Sequence, residues 1–173
     1  HDPDENELAA IREFVDVFGD PTLTWDDLAW IRERTDLPVI VKGILAPEDA
    51  RLAVEHGADG IVVSNHGGRQ VDRAIPALDA LPDVVAAVEE LESSPTILFD
   101  SGIRRGSDVL IALALGADAV LLGRPYVYGL ALAGADGVRE VCANLLADFD
   151  LTMGLAGRAS VDDLDRSLLR KRE

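Results

Sequence analysis

The most informative stretch of the sequence is Ser64-Asn65-His66-Gly67-Gly68-Arg69-Gln70. Histidine is the side chain suited to acid–base work near neutrality, which makes His66 a candidate acid or base. The glycine pair lets the backbone approach a ligand closely, and Arg69 offers a planar fork to a carboxylate or phosphate. A lone loop histidine is more often structural than catalytic, but these neighbours favour chemistry. Lys42 closes the apolar run Val39-Ile40-Val41, where an ammonium is costly unless it meets a negative partner. It is either a functional cation or half of an ion pair. Two further turns, Asp100-Ser101-Gly102-Ile103-Arg104-Arg105-Gly106 and Gly123-Arg124-Pro125, combine glycine with arginine. Such turns can hold a phosphate with backbone amides and guanidinium groups. The competing reading is ordinary turn glycines beside solvated arginines. Each motif alone is weak; the ordered set of four is strong.

These residues need elements that bring them to one place. The pattern predicts strands at Leu37–Lys42, Gly60–Ser64, Thr96–Asp100 and Ala119–Leu122, so that each motif sits at a strand's C-terminal end. The strands are continuous aliphatic runs without polar alternation, as parallel strands covered on both faces are. Helices are predicted at Trp25–Arg34 (with Thr24 and Asp27 as a capping box), Pro47 to Gly57, Pro82–Leu91 and Ser107–Leu115. A repeat, Gly57-Ala58-Asp59-Gly60-Ile61-Val62-Val63 and Gly116-Ala117-Asp118-Ala119-Val120-Leu121-Leu122, follows successive helices. It favours a (β/α) barrel over a Rossmann sheet, and no G-x-G-x-x-G follows a strand. The expected fold class is therefore α/β. Four strands make half of a closed (β/α)8 barrel, here strands 5–8, so the other half must come from a fragment, a partner chain or a second copy. The expected organisation is a loop remnant with helices leading into the barrel over 1–36, a half-barrel over 37–134, and C-terminal helices over 135–173. The acidic opening, His1 to Glu7, reads as the exposed end of a long loop.

Composition narrows the function classes. Asp and Glu number 32 against 16 Lys and Arg, a formal net charge of -16. That surface repels phosphates and anionic lipids, which argues against nucleic acid or membrane partners. Only Lys42 and Lys171 are lysines; an acidic, lysine-poor surface suits high salt, where screening relieves self-repulsion. The single cysteine, Cys142, permits no disulfide framework and reads as a core thiol. No apolar run is long enough for a bilayer, and the expected compartment is the cytoplasm.

In order, Val-Lys-Gly, Ser-Asn-His-Gly-Gly-Arg-Gln, Asp-x-Gly-Ile-Arg-x-Gly and Gly-Arg-Pro resemble the FMN-dependent α-hydroxy-acid dehydrogenases, from Leu37 to the last helices. Ser101, where most members have glycine, and Gly-Arg-Pro-Tyr-Val-Tyr-Gly look most like the lactate 2-monooxygenase branch. The resemblance implies FMN as cofactor and oxidation of a small (S)-2-hydroxy acid, lactate-like, to the 2-keto acid or its decarboxylated product. It makes His66 the base and Arg69 the residue that binds the substrate carboxylate. Lys42 would lie at the flavin N1 and C2 carbonyl edge, touched also by Ser64. Asp100, Ser101, Gly102, Ile103 and Arg104, with Gly123 and Arg124, would hold the ribityl chain and phosphate. It further implies partners: the N-terminal half of the barrel, carrying a substrate tyrosine and a second arginine, and a homo-oligomer, commonly a tetramer. A non-catalytic half-barrel subunit, a phosphate-binding module, and another phosphate-binding barrel enzyme resembling isopentenyl-diphosphate isomerase or IMP dehydrogenase remain alternatives.

Overall fold

The computed structural model describes residues 6–170. No helix among them is long and apolar enough to cross a membrane. Of the opening segment expected to be loop, residues 1–5 lie outside the described residues, and Glu7 begins a helix, α1 (Glu7–Phe18). Asn6 caps it, its side-chain oxygen accepting the Ala9 N–H at 3.1 Å. Helix α2 (Asp27–Arg32) is shorter than expected. Asp27 accepts the Thr24 N–H at 2.6 Å, but the Thr24 hydroxyl also donates to that carboxylate, so only half of the capping box forms.

Strands β1 (Ile40–Ile44), β2 (Gly60–Val63), β3 (Thr96–Phe99) and β4 (Ala119–Val120) form one parallel sheet in sequential order. Helices α3 (Pro47–Glu55), α4 (Ala77–Glu89) and α5 (Gly106–Ala114) make the crossovers. Helix α6 (Arg124–Leu155) follows β4 and breaks at Ala133–Gly134. Ile61, Val63, Ile97 and Phe99 share a core with Ala50, Ala53, Leu81, Val84 and Val88 of the helices. Only β2 is buried along its whole length. Edge strand β1 alternates, with Ile40 43% exposed. Full burial of all four strands, expected from their aliphatic runs, therefore holds only for β2: it fails at the edge strands β1 and β4 and at Thr96 and Leu98 of the inner strand β3. Cys142 is half-buried rather than a full core thiol.

Two further departures have local causes. Strand β1 begins at Ile40, because Pro38 has no N–H to give a ladder and the Val39 N–H is taken by the Asp59 carboxylate at 2.7 Å. Helix α4 begins at Ala77, so Pro82 lies inside it. Burial of Ala77, Ala80 and Leu81 (each at most 2% exposed) overrides the preference of proline for a first turn.

The Gly-Ala-Asp repeat now has a physical meaning. Gly57 and Gly116 take φ of 94° and 107°, ending α3 and α5 in the left-handed conformation glycine tolerates. The aspartate that follows clamps the start of the neighbouring strand. Asp59 donates its N–H to Val39 O at 2.8 Å and accepts Val39 N–H, while Asp118 donates to Ile97 O at 2.8 Å and accepts Ile97 N–H at 2.7 Å. Losing a charged acceptor from a strand amide costs about 1–2 kcal/mol. Asp118→Ala should lower stability to urea by that amount, and an unchanged midpoint would show that the clamp contributes nothing.

Candidate active site

Register and pleat bring the motif residues together. Lys42 is opposite Val62, and Val62 is opposite Leu98. Side chains two residues apart share a face, so Ser64 and Asp100 continue the face of Val62 and Leu98 just past the strand ends. There the Lys42 ammonium donates to Ser64 Oγ at 2.9 Å and pairs with Asp100 Oδ2 at 2.8 Å. Both readings of Lys42 meet here, since its ion-pair partner belongs to another of the motifs. Of its three N–H groups, one has no partner among the described residues.

A β-bulge at Gly43 interrupts the β1 ladder between Lys42 and Ile44. Gly43 has φ of 102°, and a Cβ there would lie 2.7 Å from His66 Nε2, so the imidazole rests against bare backbone. His66 itself has φ of 56°, followed by Gly67 at 68° and Gly68 at 72°. For a residue with a Cβ the left-handed region costs about 1–2 kcal/mol. No hydrogen bond or ion pair involves the His66 ring among the described residues, and Asp72 is not its partner. The imidazole is exposed at the rim of a cavity of about 600 Å³.

That cavity gathers Lys42, His66, Arg69, Asp100, Ser101, Gly102, Ile103, Arg104, Gly123 and Arg124. Ser64 lies behind them, fully buried. Ile103 is 4% exposed and its side chain belongs to the core, which leaves its backbone to face the cavity. Arg124 Nη2 donates to Gly67 O at 2.7 Å, fastening the loop after β4 to the loop after β2. The guanidinium groups of Arg69 and Arg104 have no partner among the described residues. Neither do the amides of Gly102, Ile103, Gly123 and Arg124. A Cβ added at Gly68, Gly102 or Gly123 would meet only open space.

The amino end of α5, a place where helices can bind anions, is already occupied. Arg104 and Arg105 N–H both donate to Asp108 Oδ2 at 2.9 Å, and Gly106 N–H donates to Asp148 Oδ2 at 2.6 Å. Carboxylates thus fill the start of α5 and leave the glycine turns at Gly102 and Gly123 as the amide-bearing surface. Gly43 and Asn65 were passed over in the sequence; their only signal was adjacency to Lys42 and His66. Leu121, Leu122, Tyr126 and Val127 also line the cavity, and nothing in their types announced it.

Burial pushes the Asp100 carboxyl up, but hydrogen bonds from Lys42, Ser64 and Ser101 and the Lys42 charge outweigh it and hold it below the usual carboxylate range. A depressed folded value stabilises the protein above the unfolded value of about 3.9, and that stability is lost as pH falls through the folded value. Asp100→Asn should therefore be less stable than wild type at neutral pH, with the gap closing below about pH 4. Parallel unfolding curves across that range would refute the assignment.

A parallel α/β sheet thus carries histidine, lysine and, among the described residues, unpaired arginines around a glycine-lined mouth, a lining suited to an anionic ligand. The family described as FMN-dependent dehydrogenase matches residues 2–171, and the chain belongs to it. It is 48% identical over 163 residues to 2-hydroxyacid oxidase 1 of Mus musculus, covering 94% of this chain and 43% of that protein. It is 52% identical to L-lactate oxidase of a Nostoc strain, covering 86% of this chain and 40% of that protein. A crystal structure of mandelate oxidase with (S)-4-hydroxymandelic acid superposes with a TM-score of 0.78 at 53% identity, over 83% of this chain and 40% of that one. The chain thus spans less than half the length of these relatives. The unpaired arginines, the free amides and the open glycine faces suit a ligand that, like FMN, ends in a phosphate.

Proposed function

We propose that the protein oxidises a small (S)-2-hydroxy acid, lactate-like, with FMN, and that this chain carries the base, a carboxylate anchor and much of the cofactor site. One observation carries the reading: His66 with a free imidazole, Arg69 with a free guanidinium and Lys42 held by Asp100 converge on one cavity. Arg104 and Arg124, with the amides of Gly102, Ile103 and Gly123, would hold the phosphate and ribityl chain; Lys42 and Ser64 would flank the ring. Bound FMN would supply the two-electron acceptor. Arg69 grips the substrate carboxylate through its planar fork and so fixes the α-carbon. Conversion to the 2-keto acid removes two electrons and two protons from the substrate: His66 takes one proton, and the electrons with the other proton would pass to the acceptor that bound FMN supplies. The Lys42 charge offsets negative charge built up beside it.

The remainder of the barrel, a second set of four strands, would come from an N-terminal half outside this chain. Exposed Ile40 and Leu121, 43% and 38%, and the unpaired outer edges of β1 and β4 support this. The assembled protein would act as a homo-oligomer, a tetramer. The deciding experiment is a visible spectrum of the complete protein with FMN, then anaerobic (S)-lactate. Flavin bands that bleach support the proposal, with pyruvate or acetate in the aerobic product telling oxidase from monooxygenase. A protein that stays colourless with FMN supplied would overturn it. The charge of -16 further leads us to propose a salt-adapted protein. Its melting temperature should rise steeply from low to molar KCl as the carboxylates are screened; a flat profile would remove that part.

A further inference from the structure

The loop that presents His66 is held by hydroxyl groups rather than by its own sequence preference. Ser101 Oγ accepts the Asn65 N–H at 3.2 Å and the Gly67 N–H at 3.0 Å, and donates to Asp100 Oδ1 at 2.8 Å. Ser64 Oγ accepts the His66 N–H at 3.1 Å and a Lys42 N–H at 2.9 Å, and Lys42 in turn pairs with Asp100 Oδ2 at 2.8 Å. Three successive amides are thus fastened by two serines tied to one carboxylate, Ser101 directly and Ser64 through Lys42. The Gly68 N–H closes the turn onto Asn65 O at 3.0 Å. A hydroxyl has one donor and two acceptor sites, so Ser101, accepting two amides and donating to Asp100, is saturated within the protein. Ser101 stands at φ of 79°, where glycine would be relaxed. A serine kept there in spite of that conformation has its hydroxyl as the only visible gain.

We infer that Ser101 is a positioning residue for His66: its hydroxyl, anchored on Asp100, braces the amides on either side of the histidine and keeps the imidazole against Gly43. This rests on the flavin-oxidase reading for its catalytic consequence, but not for the brace itself. The informative variant is Ser101→Gly, made in the complete protein. It suits the left-handed backbone, so the turn after β3 keeps its path, while the Asn65 and Gly67 amides lose their acceptor.

Hydrogen exchange of residues 65–67 in the cofactor-free protein should speed up by about tenfold, the value of one lost hydrogen bond. With FMN bound, the anaerobic rate of flavin reduction by (S)-lactate should fall by about tenfold or more, because the base is less well aimed. The affinity for FMN and the KM for lactate should hold, since Lys42, Arg69, Arg104 and Arg124 are untouched. Unchanged exchange would overturn the brace. A reduction rate that recovers fully at saturating FMN would also overturn it, marking Ser101 as a cofactor contact instead. If the wild-type protein is reduced by no 2-hydroxy acid, the oxidase reading falls, and exchange alone then decides the brace.

Discussion

His66→Gln should slow anaerobic flavin reduction by about 10²–10⁴-fold, the usual contribution of a positioned base, while leaving FMN binding intact. The reason is in the geometry. Histidine is the side chain suited to proton transfer near neutrality, His66 is the histidine that lines the cavity, and its ring makes no hydrogen bond within the described residues. The His66 backbone N–H, held by Ser64, does not depend on the side chain, so glutamine should keep the loop in place. Stopped-flow absorbance with (S)-lactate measures the rate, and the flavin spectrum reports the cofactor. A glutamine variant reduced as fast as wild type would mean that another group takes the proton, and the proposed role of His66 would be withdrawn.

Gly43→Ala should cost about 10²-fold in the same rate without removing any catalytic group. A Cβ at Gly43 would stand 2.7 Å from His66 Nε2, inside any permissible contact, so the ring must move. A shift of about 1 Å is enough for a loss of this size when the base must meet one proton on one face of the substrate. The φ of 102° adds backbone strain, so the variant should also melt earlier than wild type. Stability and rate can be separated by assaying well below the melting transition. A variant that melts early yet reacts at the wild-type rate would show that the ring has no need of its place against Gly43.

Much of this was legible along the chain. The four strand ends are marked by Lys42, Ser64, Asp100 and Gly123 because a parallel α/β unit ends each strand at the same side of the sheet. Patterns of type and spacing survive without tertiary knowledge: aliphatic runs for strands, proline and glycine around α3, the doubled Gly-Ala-Asp. The identity of the repeat as a strand clamp was not legible, because Asp59 and Val39 are 20 residues apart and meet only once the sheet is paired.

The sequence by itself determined the order of the four strands and their crossover helices, the parallel class and the polar motif residues at the mouth, since these follow from local period and residue chemistry. Tertiary structure alone decided four things. It set the late start of β1 and the early start of α4, where burial and a distant carboxylate outweigh local preference. It gave the α5 amino end to Asp108 and Asp148 rather than to a ligand. It seated the His66 ring against Gly43. And it committed Ser64 and Ser101 to bracing the loop, because hydrogen-bonding capacity is spent on whichever groups folding brings within 3 Å or so, and no pattern along the chain records which those will be.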